Sequence, residues 1–503
     1  MHWLDYIMVL AFFGWMVWIG HQSKKHVKTS DDFFTGGGKI PWWVSGISHH
    51  VSGYSGVVFV GYAAIAYNYG FTLYIFWAVG IAVAMFIGAV TIVPRWPRLR
   101  KRLGIQSPTE YLVTRYGVSA QQITAWAGIV VKLIDVGAKW ASIGILISGF
   151  TGMPIWVGIV FAGIVSLYYI TVGGLWADIM TDLAQFVVQI LGGLVLFFAV
   201  MAELGGPSCL VTLWQQLPPA NHNLFSGPYT PVYVFAYWIV CFLSYTGGTW
   251  NLATRFISTK DSREARRSAT LSAVLYFVWP LVLFFPMWAG PVLFPNMADP
   301  ANELYSKLTT TFLPPGLVGL VLASMFANTL SMTVSDANVV SAVLQRDVLP
   351  ILSKKLAKLR DSLTMARITT IIFTTLTIIV ALFRDYFGDV IGLILTWFAA
   401  LLGPTAIPLL CGLFRPFKHA DNKAAIISVL AGFMVFVANK YMGLVYPADL
   451  STIMPTIVAF AAYCIVAAIN SAMHKPIPER VNKLFDMVEK PDFDEEPEEV
   501  TAS

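Results

Sequence analysis

Apolar runs of about 20 residues recur from one end of this chain to the other, and nothing else in it narrows the possible folds so far. A helix needs about 20 apolar residues to cross a hydrocarbon core roughly 30 Å thick. No water-soluble fold could hide so many of them. With 57% hydrophobic residues, only 12% charged and a mean hydropathy of +0.67, the chain reads as an all-α integral membrane protein. Thirteen spans are expected, near residues 3–20, 43–68, 72–94, 121–150, 154–171, 181–203, 230–254, 268–293, 315–345, 366–383, 388–413, 424–440 and 452–472.

Basic residues test that count, because cytoplasmic connections retain lysine and arginine. With the N-terminus outside, 28 of the 33 fall in inner connections, among them Arg255. Only Lys307, Arg384 and Lys440 fall in outer ones, and Lys132 and Lys139 lie inside the membrane. One span more or fewer would scramble this alternation. The expected protein is therefore multi-pass in a plasma membrane, the inner membrane if the source is bacterial, with a cytoplasmic C-terminus. The net charge of +5 is then a topology signal, and no nucleic-acid partner is implied. Cys209, Cys241, Cys411 and Cys464 are too scattered for a disulfide framework or a CxxC metal site. The first run lacks a basic n-region and a cleavage site, so it reads as a retained helix. The acidic tail after Pro491, starting with Asp492, is expected to be disordered.

Within the ninth span Asn328, Ser331, Ser335 and Asn338 recur at three- and four-residue steps, which puts them on one helix face. Hydrocarbon offers nothing to hydrogen-bond, so this face must line a partner helix, a cavity or an ion site. Two other spans are poor helices at their middles. His49-His50-Val51-Ser52-Gly53-Tyr54-Ser55-Gly56 combines glycine, which costs about 1 kcal/mol relative to alanine, with serines that compete for backbone hydrogen bonds. Such a stretch unwinds and offers carbonyls to a cation, or else serves close helix packing. Ser244-Tyr245-Thr246-Gly247-Gly248-Thr249-Trp250-Asn251 repeats the pattern five spans later. That interval points to an inverted repeat with a binding site between its halves. The expected organisation is a first helix with its cytoplasmic connection (1–42), a transport core (43–413, halves 43–203 and 230–413), two further helices (414–472) and a cytoplasmic acidic tail (473–503).

Several motifs follow in order: Asp32-Phe33-Phe34-Thr35-Gly36-Gly37-Gly38; Ser107-Pro108-Thr109-Glu110-Tyr111-Leu112 with Arg115-Tyr116; Gly173-Gly174-Leu175-Trp176-Ala177-Asp178 running into Thr181-Asp182 and Gln185; Arg255; Arg346-Asp347; and Gly403-Pro404 with Gly412-Leu413-Phe414. In these residues, across most of its length, the chain resembles the sodium/solute symporters, which include sodium–glucose, sodium–proline and sodium–sialic acid cotransporters. The resemblance implies a leucine-transporter-type 5+5 inverted-repeat core, formed by spans two to eleven. It also implies one sodium held between the broken helix and the ninth span, at positions matching Val51, Tyr54, Asn328, Ser331 and Met332. Met332 departs from the pattern, since many members carry a hydroxyl there and a thioether is a poor partner for a hard cation. That site is four-coordinate plus water, weakened or differently used. A second sodium position in some members matches Asp182, Ser331 and Ser335, although Asp182 also suits a helix start facing the positive end of the dipole.

The fourth span carries Lys132, Asp135 and Lys139 on one face. Charges at that depth cost at least ~2.5–3.5 kcal/mol each on insertion scales and are functional candidates by default. A Lys–Asp pair would lower the cost without any ligand; otherwise the three groups leave a net positive charge for an anionic solute. By resemblance Lys132 stands where a sialic-acid-transporting relative has a carboxylate-binding arginine, and Ser52, Ser55, Gly56, Trp77, Trp250 and Thr396 fall around the central cavity; Asp135 is a solute candidate from its place on the charged face. The expected function is sodium-coupled uptake of a small, carboxylate-bearing organic solute by alternating access, with sodium as coupling ion and no organic cofactor. Proton coupling through His49, His50 or the Asp135/Lys132 pair, uncoupled transport and a transporter-like solute sensor are the alternatives. No metal-ligand cluster, GxSxG or HExxH supports an enzyme. Oligomeric state leaves no mark in the sequence.

Overall fold

The computed structural model describes residues 1–383, 402–442, 450 and 453–492. Among these residues regular structure is helical, apart from one isolated bridge between Ile40 and Thr259. The main helices are α1 (Trp3–Ser23), α2 (Trp42–Val51), α3 (Gly61–Tyr69), α4 (Tyr74–Val90), α5 (Arg95–Leu103), α6 (Val118–Thr151), α7 (Ile155–Glu203), α8 (Pro231–Leu243), α9 (Asn251–Ile257), α10 (Ser262–Trp288), α11 (Pro300–Phe312), α12 (Leu317–Val343), α13 (Leu363–Leu382), α14 (Leu402–Cys411), α15 (Asn422–Tyr441), α16 (Met454–Ala472) and α17 (Glu479–Glu489). Eight helical stretches among the described residues are long and apolar enough to cross a membrane, or nine if α4 and α5, bent by 46°, count as one span. Much of the expected span at 388–413 lies outside the described residues.

Both doubtful helices break. α2 ends at Val51, Ser52 to Ser55 leave the helix, and the path resumes through a tight turn at Gly56–Val58 before α3. α8 runs into a widened turn at Ser244–Gly248, where Gly247 has φ 133 and Trp250 takes φ 61, a region that side-chain-bearing residues rarely adopt. α9 starts immediately afterwards.

The expected spans at 154–171 and 181–203 form one 49-residue helical path, α7, with no loop between them. A straight helix of that length would reach roughly 74 Å, more than twice the hydrocarbon thickness. Gly174, at φ 51 and ψ −141, supplies the break. A Cβ there would lie 2.5 Å from the carbonyl oxygen of Phe33, so both conformation and space require glycine.

α12 occupies the centre. It packs against α1, α6, α7 and α13, and nearly all of its side chains are buried. Its N-terminal end is met by Asp5 of α1, whose Oδ1 accepts the N–H groups of Gly316 at 2.6 Å and Gly319 at 2.9 Å, a carboxylate set against the positive end of a helix.

At the other end of the chain a helix precedes the tail expected to be disordered, of which only Asp492 lies within the described residues. α17 buries Val481, Leu484, Phe485 and Val488 beside α5. The basic side chains of α5 bond to carbonyls in its last turn and just beyond it: Arg98 to Val488 at 2.7 Å, Arg102 to Met487 and to Lys490 at 2.9 Å, and Lys101 to Asp492 at 2.8 Å. Asp492 is fully buried, and its Oδ1 accepts the N–H of Ser262 at the start of α10, 3.0 Å away.

Replacing Gly174 with valine is expected to lower the detergent thermal-unfolding midpoint sharply. Gly14→Ala, where an added Cβ meets nothing within 4 Å, should hold or slightly raise it.

Candidate functional site

The break in α2 faces α7 and α12, and their polar side chains close on one another there. Asp182 of α7 is the hub. Its Oδ2 accepts from Ser48 at 2.5 Å and Ser52 at 3.1 Å, and its Oδ1 accepts from Ser331 at 2.5 Å. Ser52 also lies 3.1 Å from Ser331 and 3.3 Å from Ser335, so the polar stripe of α12 reaches the unwound segment directly. Asp182 sits eight residues past the break at Gly174 and bonds to side chains, which rules out its alternative reading as a helix-start carboxylate.

A fourth helix contributes a residue assigned from sequence to a cytoplasmic connection. Arg255 of α9 is fully buried, and its Nη2 lies 2.8 Å from Asp178, 3.2 Å from Asp182 and 2.9 Å from Ser52, with a further contact to Ser335. Its Nε and Nη1 have no partner among the described residues. Asp178 accepts from Ser335 as well, at 3.1 and 3.0 Å. The only local signal for this burial is the apolar setting of Arg255 between Leu252-Ala253 and Phe256-Ile257.

The first expected sodium set is partly assembled. Val51 and Tyr54 are buried on either side of the break, the Val51 carbonyl accepting the Tyr54 N–H at 3.2 Å. Asn328 donates to the Ser324 carbonyl at 2.7 Å, and its Oδ1 is buried without a partner among the described residues, an oxygen suited to a cation. Met332 is buried too, so its sulfur adds nothing hard to the set. The set for the second position is drawn together more fully: Asp182, Ser331 and Ser335, with Ser48 and Ser52 added by the fold. Ser52, expected at the solute, belongs to this network.

A separate charged cluster joins α6 to α12. Lys132 Nζ lies 2.7 Å from Asp336 and 3.6 Å from Asp135, while Lys139 Nζ lies 2.7 Å from Asp135 and 2.9 Å from Asp336. All four are buried. The net positive charge expected of Lys132, Asp135 and Lys139 is therefore corrected: Asp336 makes the cluster neutral.

Other expected solute positions scatter. Trp77 packs its ring against Tyr54, Tyr62, Tyr276 and Phe284. The Trp250 indole is pressed onto α6, where a Cβ on Gly128 would fall 2.1 Å from its ring. Gly56 is wedged between Ser142 of α6 and Thr329 of α12, and Ser55 is buried beside it. Thr396 lies outside the described residues. His49 has both ring nitrogens engaged, with the Ser272 hydroxyl at 2.7 Å and the Tyr245 carbonyl at 3.1 Å, which suits one neutral tautomer.

The family model described as Sodium:solute symporter family matches residues 33–432. The chain belongs to the sodium:solute symporter family. Relatives include the human sodium/iodide cotransporter, 24% identical over 93% of this chain and 73% of that protein, and the sodium/sialic acid symporter SiaT of Proteus mirabilis, 24% identical over 87% and 90%. Among solved structures, a sodium-coupled sialic acid symporter in a substrate-bound outward-open state superimposes with a TM-score of 0.80 at 21% identity, covering 93% of this chain and 98% of that one. The fold is thus the leucine-transporter type, and this symporter is a membrane transporter for a small solute, not an enzyme.

Removing one partner of a buried ion cluster strands the opposite charge, at a cost of about 3–5 kcal/mol. Lys139→Met should therefore strongly lower the thermal-unfolding midpoint, and adding Asp135→Asn, which restores the balance of Lys132 with Asp336, should recover much of the loss.

Proposed function

We propose that this symporter couples inward sodium movement to uptake of a small organic anion, carboxylate-bearing, by alternating access, within halves at residues 43–203 and 230–413 and with its N-terminus outside. The observation that carries the sodium part is the convergence of Asp182, Ser48, Ser52 and Ser331 across the break in α2. These are hard oxygens from three helices, and a monovalent cation among them ties the broken helix to α7 and α12. Ion and solute then stabilise the same outward-open arrangement, which is the thermodynamic requirement for coupling. Rocking of the bundle exposes both to the cytoplasm, where low sodium empties the site.

The choice of an anion follows two of the relatives, whose names give iodide and sialic acid as cargo, while another is named for glucose. The charged cluster is compatible with it. Lys132 and Lys139 are both tied to Asp135 and Asp336, and a solute carboxylate would have to draw Lys132, which matches the relative's carboxylate-binding arginine, away from Asp336. One net positive charge moving inward is worth ~2.3 kcal/mol per 100 mV, and a tenfold sodium gradient adds ~1.4 kcal/mol. An anion cancels one sodium's charge, so the membrane potential drives uptake only if a second sodium accompanies it. Sodium at both the Asn328 set and the Asp182 set would supply that second charge.

Sodium, against choline at constant ionic strength, should raise the thermal-unfolding midpoint of the purified protein saturably, and Ser331→Ala should weaken the effect. In sealed proteoliposomes an inward sodium gradient should drive uptake of a radiolabelled small carboxylate and not of a neutral hexose. Sodium-independent uptake that follows a pH gradient would move the assignment to proton coupling.

A further inference from the structure

The buried ionised groups around the site can be counted as charges. Lys132 and Lys139 balance Asp135 and Asp336. Asp178, Asp182 and Arg255 do not balance: two carboxylates share one guanidinium, all three fully buried. An uncompensated charge in a sealed apolar surround is expensive, so the triad as built calls for one more positive charge.

The way the guanidinium is shared says where that charge goes. Arg255 stands 2.8 Å from Asp178 and 3.2 Å from Asp182. Asp178 takes the shorter of the two guanidinium contacts and has a single hydroxyl, that of Ser335, shared between its oxygens. Asp182 is surrounded otherwise by hydroxyls, those of Ser48, Ser52 and Ser331, which can turn their hydrogens away and present lone pairs. With a single carboxylate, Arg255 would neutralise Asp182 and compete with any diffusible cation for it.

We propose that Asp178 is a positioning residue of the ion site: it engages the Arg255 guanidinium and so leaves Asp182, with the hydroxyls of Ser48, Ser52 and Ser331, able to hold a monovalent cation. This rests on the sodium reading above. Asp178 and Asp182 are one turn apart on the same face of α7, so a single helix presents the carboxylate that holds the arginine and the one that holds the ion. The arginine then acts as a built-in counter-charge, keeping the empty site at one negative charge and the filled site neutral.

The test titrates sodium chloride against choline chloride at constant ionic strength, reading the thermal-unfolding midpoint of full-length protein in detergent and extracting the half-saturating sodium concentration. Asp178→Asn should raise that concentration by about tenfold or more, the scale expected when a unit charge a few ångströms away is removed. Asp178→Glu should stay near wild type. Asp178→Asn combined with Arg255→Gln, which returns the net charge to minus one, should recover sodium response relative to Asp178→Asn alone. Arg255→Gln by itself should lower the half-saturating concentration.

A purely structural role for Asp178 would lower the midpoint in choline, leave the half-saturating sodium unchanged and show no recovery in the double variant; that pattern overturns the inference. If Asp178→Asn does not fold, an Arg255→Gln protein with unchanged or weaker sodium affinity overturns it equally. A sodium-responsive wild type with an unshifted Asp178→Asn defeats this inference alone, whereas a wild type indifferent to sodium defeats the symport reading and the inference together.

Discussion

Arg255 lies where water cannot reach it, so only other side chains can satisfy its charge, and much of the architecture exists to bring them there. Through one nitrogen it meets Ser52 on the unwound end of α2, Asp178 and Asp182 on α7, and Ser335 on α12. In a low-dielectric interior such charge-assisted bonds are strong, and leaving any member unpaired is correspondingly costly. The arginine can enter only because the second broken span turns at Gly247 and Trp250, which starts α9 inside the bundle. Both interruptions are thus joined by one hydrogen-bonded network, and a movement at either is felt at the other.

α12 keeps two charged systems apart with a step of one residue. Ser335 faces the arginine network, while Asp336 faces the lysines of α6. The lysine cluster is electrically closed, and removal of any one member strands an opposite charge. The arginine network is electrically open. Adjacent positions on one helix therefore face two different systems, one in which two lysines match two carboxylates and one in which two carboxylates share a single guanidinium.

What could be read from the residues alone was what depends on local pattern. The all-helical membrane character follows from run length, the stripe from Asn328 to Asn338 from helical periodicity, and the two interruptions from glycine and serine in apolar surroundings. The convergence of Asp182 and Ser331 also came through, by way of the family resemblance. What escaped depends on pairings far apart in sequence. Asp336 meets Lys132 across 204 residues, and without that partner the fourth span looked positively charged. Arg255 is followed closely by Lys260 and Arg263, so a count of basic residues swept it into the cytoplasm with them. Asp178 looked like part of a motif because nothing adjacent discloses that a guanidinium is shared.

Separation along the chain also orders events in time. Arg98 bonds to a carbonyl 390 residues downstream, so α5 leaves the ribosome long before α17 exists. During that interval the carbonyls that its arginines and lysine will meet have not yet been made. Once Glu479–Glu489 arrives, the same side chains become the clamp on its last turn. One basic helix thus becomes a latch only late in synthesis, and a nascent chain stalled before residue 479 would leave its basic face without the carbonyls that α17 supplies.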